Sequence, residues 1–358
     1  MNPDFTETQG LLQHSIRQYL EVEVGFARIR ELEESASPIR SCGAAWWPRT
    51  GSASLLPEAV GGDAGLVEAG ILILAGAPRA IVPAVGPRPR PSCSHGLRAM
   101  RASCSRRSSM EGRSSCHNAR PTTPPSRHVA ATVDAGGKLR GEKHYVDYAD
   151  FATHHLVSAV GPEGLGLYLV ERGDAAVTSE PLRCTGRTPQ AIVRYAGAAA
   201  RRVADAAAVA TLVDLGRALV SAQILGCMEV ALEQTVAYTN VRVQFGQPLA
   251  TFQAVQHHAA NMAMAVESAR FMVYEALDAL ENGRGDSHDI AVLKAFVSRA
   301  VPEVTMLAHQ LHGGQGLIEE NDLYFFTVRG KDRALAWGSA EECLDRIAQE
   351  IESAPRWL

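Results

Sequence analysis

The stretch RVQFGQPLATFQAVQHHAANMAMAVESAR, residues 242–270, decides the fold of this chain. An arginine and a Phe-Gly pair stand directly ahead of a long rhythm of apolar residues, spaced alternately three and four apart. This rhythm predicts a helix over 252–280 that buries one face in a bundle and exposes the other. The buried face is predicted to hold Phe252, Val255, Ala259, Met262, Val266, Ala269, Val273, Ala276 and Leu280, and the solvated face Gln256, His257, Asn261, Glu267, Arg270, Glu275 and Asp278.

Three other C-terminal segments have a helical pattern. Residues 206–240 are apolar nearly all round, which predicts the most buried helix of the chain. Residues 288–312 contain Pro302, which we expect to kink or break the helix, and residues 339–352 supply the last one. Four helices with short connections predict a four-helix bundle over 206–358.

The residues before 206 show two kinds of sequence pattern. Residues 5–34 and 55–74 have helical spacing, so 1–127 is predicted to be an N-terminal helical domain. Short apolar runs broken by glycine and proline fill 128–205 and predict antiparallel strands of a small sheet or barrel domain. The expected fold class is therefore mostly α with a middle β domain.

The segment 87–127 does not fit this pattern. It contains nine Arg, nine Ser, six Pro and three Cys but one acidic residue, with few large apolar residues. Such a composition buries too little apolar area to offset the entropy of ordering, so we expect the segment to be disordered or degenerate. Its abrupt bias resembles a GC-rich coding region read out of frame, a hypothesis that sequencing of the nucleic acid would test.

Composition excludes several classes of partner. The arginine-rich segment has no aromatic residue for base stacking, and the whole chain has a net charge of −4, so no nucleic acid is expected. Its Cys and His residues lack the spacing of zinc ligands, and no Cys-x-x-Cys pair occurs among the seven cysteines, so no metal is expected. No stretch reaches the roughly 18 uncharged apolar residues of a membrane helix, and the N-terminus lacks the layout of a signal peptide. We therefore expect a cytoplasmic protein that does not enter a membrane.

Two corners of the predicted bundle are suited to binding an anion. The corner from Arg242 to Gly246 connects the first two bundle helices, and a guanidinium there can donate to phosphate oxygens. The sequence QLHGGQG, residues 310–316, follows the third helix, and its paired glycines Gly313 and Gly314 allow backbone N–H groups to approach an anion closely. Together the two corners predict a site for a cofactor that carries a pyrophosphate.

These segments resemble the acyl-CoA dehydrogenase family. The resemblance rests on LLPEAVGG (55–62), LRGEKHYVDYADFATHHLVSA (139–159), the stretch at 242–270 and QLHGGQG (310–316), which occur in family order. It implies an N-terminal helical domain, a middle β domain and a C-terminal four-helix bundle. It also implies desaturation of an acyl-CoA substrate, in which a carboxylate removes the α-proton, FAD takes the β-hydride and an electron-transfer flavoprotein takes the electrons. The implied binding residues for the FAD of a neighbouring subunit, in a homo- or hetero-tetramer, are Arg242, Gln244, Phe245, Gln310, Gly313 and Gly314.

The catalytic base of the family has no counterpart in this chain. Trp337 stands where most members carry a glutamate before Gly-Thr/Ser, and Gly216 stands at the alternative position in the first bundle helix. Asp214 is two residues from Gly216 and therefore about 200° away around the helix. We interpret Asp214 as a polar break in a buried helix and assign no catalytic residue.

The residues that contact the flavin in the family also differ in this sequence. The Thr-Glu-Pro-x-x-Gly-Ser-Asp loop of the family has no counterpart near 105–127. Asp147, two residues after Tyr145, occupies a position where a hydroxyl would donate to the flavin. A carboxylate there opposes the negative charge of a reduced flavin, so this chain alone is expected to hold FAD poorly.

Three interpretations follow from these departures. The chain is the base-lacking subunit of a hetero-oligomeric acyl-CoA dehydrogenase that shares FAD with its neighbour. Alternatively, it is an ordinary homotetrameric dehydrogenase whose base is misaligned or whose N-terminal half is corrupted by a frameshift. In the third interpretation it is a non-enzymatic helical assembly subunit that retains only the bundle. The sequence does not indicate which acyl-CoA is the substrate.

Overall fold

The computed structural model describes residues 7–23, 30, 67, 71, 73–74, 114–117, 131–318 and 320–353. These residues form two compact units. One unit holds the middle strands and the start of the following helix up to Gly216, and the other holds the N-terminal helix and the helices from Arg217 onward. The division into three domains at 127/128 and 205/206 stays a prediction, although the last middle strand does end at Asp205 and the next helix begins at Ala206.

The middle unit is a small barrel. Its strands are β1 (Ser114–His117), β2 (Ala131–Val133), β3 (Lys138–Asp147), β4 (His154–Gly161), β5 (Gly164–Glu171), β6 (Val177–Leu182) and β7 (Gln190–Asp205). Strands β4, β2, β3, β7 and β5 pair in that order, and β5 pairs back with β4, which closes the barrel. Alternate residues such as Val157 and Ala159 of β4 and Val193 of β7 point into one apolar core. The predicted middle β region is confirmed.

Among the described residues, the helical unit contains a helix within the predicted segment 5–34, the four predicted bundle helices and one helix that the sequence analysis does not predict. Its helices are α1 (Glu7–Glu23), α2 (Ala206–Val241, shared with the barrel unit at its start), α3 (Gln253–Glu281), α4 (Ser287–His312), α5 (Leu323–Leu335) and α6 (Ala340–Ser353). Helix α5 lies between the third and fourth predicted helices, where the sequence analysis predicts no helix. It was missed because two of its buried residues are Arg329 and Arg333, which interrupt the apolar rhythm.

Helix α2 is buried over most of its length. Most of its residues from Leu212 to Ala231 are buried, as its nearly uniform apolar sequence predicts. Within the described part of the chain, it is the helix whose length and composition would also allow it to cross a membrane. However, 78% of its most apolar window is buried inside the chain, which is the pattern of a core helix.

Helices α3 and α4 agree with the predicted spacing, with one difference each. The middle of the predicted apolar face of α3, from Met262 to Ala276, is buried, whereas Phe252 and Leu280 at its two ends are half-buried. Helix α4 runs continuously through Pro302, so of the expected kink or break the break does not occur. The hydroxyl of Thr305 donates to the Val301 carbonyl at 2.8 Å, one of several side-chain hydrogen bonds along this helix.

An ion cluster joins α1, α2 and α3. The carboxylate of Glu229 is 2% exposed, and it accepts from Arg17 at 3.0 Å and from Arg270 at 2.8 Å. Arg270 also pairs with Glu267 at 2.7 Å on its own helix. Arg270, predicted on the solvated face, keeps 36% of its side chain exposed, but its guanidinium turns toward a buried carboxylate that periodicity alone does not reveal.

Most of the N-terminal predictions lie outside the described residues. Within the predicted helix at 5–34, α1 and Arg30 are helical, and within 55–74 residues 67, 71, 73 and 74 are helical. The frameshift hypothesis and almost all of 87–127 fall outside the description. The exception is β1, which pairs in parallel with the start of β4. The expectation of disorder was wrong for these four residues, because backbone pairing with a strand does not require large apolar side chains.

Candidate functional site

The first predicted corner is a tight hairpin between α2 and α3. Strand β8 (Val243–Gln244) pairs with β9 (Gln247–Pro248), and Phe245 and Gly246 form the turn with φ values of 54° and 83°. Two consecutive positive φ values match the type I′ turn that favours Asn-Gly, so a phenylalanine at the first position is strained. Phe245 is nevertheless 89% exposed, which places a large apolar ring in solvent. A strained and exposed aromatic residue of this kind is a candidate for a binding role.

Arg242 links the end of α2 to this hairpin. Its N–H donates to the Tyr238 carbonyl at 2.9 Å, and its carbonyl accepts from the N–H of Leu249 at 2.9 Å. The side chain is exposed and makes no ion pair with any residue that the structure describes. Gln244 is also exposed, and its amide donates to the Val243 carbonyl at 2.8 Å. The guanidinium of Arg242 is therefore available to an external anion.

The second predicted corner begins where α4 ends. Gly313 has φ 60° and ψ −140°, and its N–H donates to the carbonyls of His309 and Gln310. Its N–H therefore caps the helix, and the expectation that this group is open to an anion was wrong. Gly314, like Gln310, is exposed, and a Cβ built on Gly314 would meet no atom within 4 Å. Close backbone approach to a ligand is therefore possible at Gly314.

The two corners meet at one end of the bundle. The ring of Tyr238, one helical turn before Arg242, stacks on the ring of His312 with centroids 4.4 Å apart and planes inclined by 19°. The Tyr238 hydroxyl donates to the His312 carbonyl at 3.4 Å. Burial lowers the pKa of His312, which favours a neutral ring in this stack. This contact places the two corners side by side, and the binding role of these residues stays a prediction.

A histidine that the sequence analysis missed supports the second corner. The residues from Gly313 to Leu317 form a 3-10 turn, and the carbonyl of Gly316 in this turn accepts from Nδ1 of His309 at 2.6 Å. The other ring nitrogen of His309 is 2.7 Å from the hydroxyl of Thr327 on α5. These residues, like Tyr238, were missed because their partners lie on other elements. The available signal was a pair of histidines in the last turn of α4.

The two alternative positions of the catalytic base adjoin the same arginine. Arg217, which follows Gly216 in α2, donates from Nε to the carbonyl of Trp337 at 3.1 Å. Trp337 has φ 61° and is therefore in the left-handed region that bulky residues avoid. Asp214 is buried within α2. Neither Gly216 nor Trp337 supplies a carboxylate, as the sequence indicates.

Beyond Trp337 the chain enters α6 through a reciprocal cap. The N–H of Ser339 donates to the Glu342 carboxylate at 2.8 Å, and the N–H of Glu342 is 3.3 Å from the Ser339 hydroxyl. This is a capping box, which commits the carboxylate of Glu342 to the start of the helix. On the other side of Trp337, the fully buried ammonium of Lys294 donates to the carbonyl of Ala334 at 2.8 Å, near the end of α5. Arg217 and Glu342 thus place one charge of each sign beside the Trp337–Gly338 turn.

The barrel residues expected to face a flavin ring do not fit that task. The carboxylate of Asp147 accepts from the Gln190 amide at 2.7 Å, and the Gln190 carbonyl oxygen accepts from the Cys184 thiol at 2.7 Å. An ionised carboxylate accepts hydrogen bonds and donates none, so Asp147 does not replace a donating hydroxyl. Tyr145 is 47% exposed with φ 54°. Asp147 therefore does not provide a donor for a flavin ring held by this chain itself.

Two buried polar groups on the barrel strands serve structure rather than the site. Lys143 donates to the hydroxyl of Ser158 at 3.4 Å, and burial lowers its pKa to about 8. His155 accepts from the Tyr195 hydroxyl at 3.0 Å and donates to the Ala149 carbonyl at 3.1 Å. Burial also lowers the pKa of His155, so its ring is neutral in this arrangement.

Comparisons with known proteins agree with the geometry. The model of the acyl-CoA dehydrogenase C-terminal domain matches residues 206–352. Acyl-CoA dehydrogenase IpdE2 of Mycolicibacterium smegmatis is 34% identical over 140 residues, which are 39% of this chain and 43% of that protein. Acyl-CoA dehydrogenase FadE27 of Mycobacterium tuberculosis is 28% identical over 237 residues, which are 63% of this chain and 64% of that protein. This chain therefore matches less than two thirds of the length of either relative.

A solved structure extends the likeness over nearly the whole chain. A chain of a variant of the Tcur3481-Tcur3483 steroid ACAD has a TM-score of 0.82 and 27% sequence identity to this protein. The superposition covers 97% of this chain and 98% of that chain. The predicted fold class is confirmed by this likeness together with the barrel and the helices.

Proposed function

This chain belongs to the acyl-CoA dehydrogenase family, and on that premise we propose that it is a subunit without its own catalytic base in a hetero-oligomeric acyl-CoA dehydrogenase. Its bundle end contributes Arg242 and Gly314 to an FAD that is held mainly by a homologous subunit. One observation carries the proposal: the two predicted corners meet through Tyr238 and His312 and expose Arg242 and Gly314, whereas Gly216 and Trp337 stand where the family resemblance places the base.

The exposed corner has the chemistry that a diphosphate needs. The guanidinium of Arg242 presents several N–H donors in a fixed plane, which suits phosphate oxygens. Gly314 has no side chain to keep a ligand away from the backbone, and the amide of Gln310 is exposed beside it. Phe245 and Gln244 extend from the adjoining hairpin, where a neighbouring subunit would cover them. The residues present therefore fit the diphosphate half of FAD.

The reaction of the family requires a group that this chain lacks. Removal of the α-proton needs a carboxylate whose basicity is raised in a dry pocket. The indole of Trp337 has a donor and no acceptor, and Gly216 has no side chain. The homologous subunit would therefore supply both the base and the flavin-ring contacts, for which Asp147 is unsuited. The chemistry that the flavin supplies is acceptance of the β-hydride.

The proposed partners follow from the family and from a similar structure. The substrate would be an acyl-CoA thioester, and the electrons would pass to an electron-transfer flavoprotein. The name Tcur3481-Tcur3483 joins two designations, which supports a pairing of two different chains. The proposed location is the cytoplasm.

Co-expression tests the proposal. The chain is purified alone and together with a homologous acyl-CoA dehydrogenase chain that carries the glutamate and the flavin loop, and bound flavin is measured by absorbance near the flavin bands. We expect flavin in the co-expressed complex and none in the chain alone. Flavin in the chain alone would support an ordinary homotetramer instead.

A second candidate is a non-enzymatic helical assembly subunit that retains only the bundle. The hydrogen bond between Gln190 and Asp147 favours it, because it uses the carboxylate within the barrel rather than at a ligand. Absence of flavin from both preparations, with a stable complex between the two chains, would favour this candidate.

A further inference from the structure

The turn after α4 is folded tightly onto the last turn of that helix. Gly316 is buried, and a Cβ built on it would lie 2.8 Å from the Cβ of His312 and 3.2 Å from the carbonyl oxygen of His309. Gly313 has φ 60°, a conformation that other residues rarely adopt. Glycines permit this turn but do not hold it, because glycine has the greatest backbone freedom of any residue. Another group is needed to keep the turn in one conformation.

The side chain of His309 supplies that restraint. Its Nδ1 lies 2.6 Å from the Gly316 carbonyl oxygen, which only accepts, so Nδ1 carries a proton. The other ring nitrogen, Nε2, lies 2.7 Å from the hydroxyl oxygen of Thr327, which also lies 3.2 Å from the Leu323 carbonyl oxygen on the same helix. One imidazole thus connects α4, the glycine turn and α5.

The remaining contacts show which part of the turn faces outward. The amide of Asn321 donates to the Gln315 carbonyl at 3.0 Å, and its oxygen accepts from the N–H of Leu323 at 3.0 Å. Asn321 and His309 therefore hold the second half of the turn against the protein, whereas Gly313 and Gly314 are exposed. The position of Gly314 depends on how firmly Gly316 is held, because they are two residues apart.

We propose that His309 is a positioning residue of the cofactor site: by holding Gly316 it keeps Gly314 in place at the corner that also carries Arg242. Its contact with Thr327 makes α5 part of the support. His309 itself does not touch the cofactor. The inference rests on the proposed function, since it concerns the same diphosphate site.

The test uses variants that separate the two hydrogen bonds. His309→Leu removes both bonds, His309→Asn keeps a donor for the Gly316 carbonyl, and Thr327→Val removes the far partner. His257→Leu, at an exposed position of α3, is the matched control. Each variant is purified alone and with the flavin-retaining homologous chain. Hydrogen–deuterium exchange of 313–317, flavin affinity and the melting temperature are measured.

We expect His309→Leu to increase exchange in 313–317 and to weaken flavin binding about tenfold, the effect of losing one or two hydrogen bonds. His309→Asn should recover most of the flavin affinity. The flavin affinity of Thr327→Val should lie between those of His309→Leu and the wild type. Exchange in α2 and α3 should not change, and His257→Leu should behave as wild type. A merely structural role would lower the melting temperature in parallel with flavin affinity and would give no selective recovery by Asn.

Two results would overturn the inference. One is unchanged exchange of 313–317 in His309→Leu, and the other is faster exchange with unchanged flavin affinity. A wild-type complex that contains no flavin would instead refute the proposed function and, with it, the cofactor role of His309. In that case the exchange data from the chain alone still show whether His309 holds the turn.

Discussion

Replacement of Lys143 by methionine should stabilise the barrel at neutral pH. The ammonium group is 1% exposed on β3, with a long hydrogen bond of 3.4 Å to the hydroxyl of Ser158. Burial lowers its pKa from 10.5 to about 8, because the charged form loses its hydration. Below pH 8 the folded protein therefore carries a charge that the unfolded chain accommodates more easily.

The sign and size of the effect follow from proton linkage. Between pH 8 and pH 10.5 the unfolded chain binds more protons than the folded chain, so stability increases with pH across this window. At pH 7 almost the whole penalty is present, which is about 3 kcal/mol for a pKa lowered by about 2.5. Loss of the hydrogen bond to Ser158 offsets about 1 kcal/mol. Lys143→Met should thus raise the free energy of unfolding by about 2 kcal/mol at pH 7. At pH 9.5 about 1.4 kcal/mol of the penalty remains, and the lost hydrogen bond offsets most of it, so the gain should be close to zero.

Pulse proteolysis in urea, at pH 7 and pH 9.5, measures this difference for the barrel separately from the helices. Peptides from β3 to β5 are quantified by mass spectrometry, so that the opening of this unit is followed. Ser158→Ala is the control for the hydrogen bond and should change stability by less than about 1 kcal/mol at either pH. A stability difference between Lys143→Met and wild type that does not change with pH would refute the reasoning, as would a net loss at pH 7.

Three further outcomes are expected. Arg242→Gln should lower the flavin affinity of the co-expressed complex by tenfold or more without changing the melting temperature, because its guanidinium is exposed; an unchanged affinity, measured by absorbance titration, would remove Arg242 from the site. Phe245→Asn should stabilise the isolated chain by about 0.5 kcal/mol, since asparagine tolerates positive φ, yet weaken association with the homologous chain in analytical ultracentrifugation. Glu229→Gln should reduce stability in urea unfolding by about 2 kcal/mol, because Arg17 and Arg270 lose a buried partner but retain some access to water; Glu267→Gln, at the exposed end of the same cluster, should have little effect.

Local pattern was sufficient for much of the fold. The alternating spacing of α3 and the uniform apolarity of α2 each depend on residues close together in sequence, and both helices lie within one residue of their predicted ends. Short apolar runs with turn residues likewise predict the strands of the barrel. Helix α5 escaped prediction because Arg329 and Arg333 are buried in it, and burial of a charged side chain depends on its neighbours in space.

For the candidate site too, some features were evident from local sequence and others depend on neighbours in space. Arg242 and the paired glycines were identified from residue type and order, since a guanidinium beside a helix end and a Gly-Gly step have recognisable chemistry without a structure. The absence of a carboxylate at Gly216 and Trp337 was also evident from the sequence. The involvement of Gly313 in capping α4 was not, because the direction of one N–H depends on the exact course of the turn.

The sequence by itself determined the types of most elements, the limits of α2, α3, α4 and α6, the family motifs and the absence of a carboxylate at Gly216 and Trp337, because these depend on residues a few positions apart. The tertiary structure alone decided that the two corners meet through Tyr238 and His312, and that His309 reaches Gly316 and Thr327. These contacts join residues on different helices and turns. Their existence depends on how the helices pack, and packing geometry is not encoded in any one local stretch of the chain.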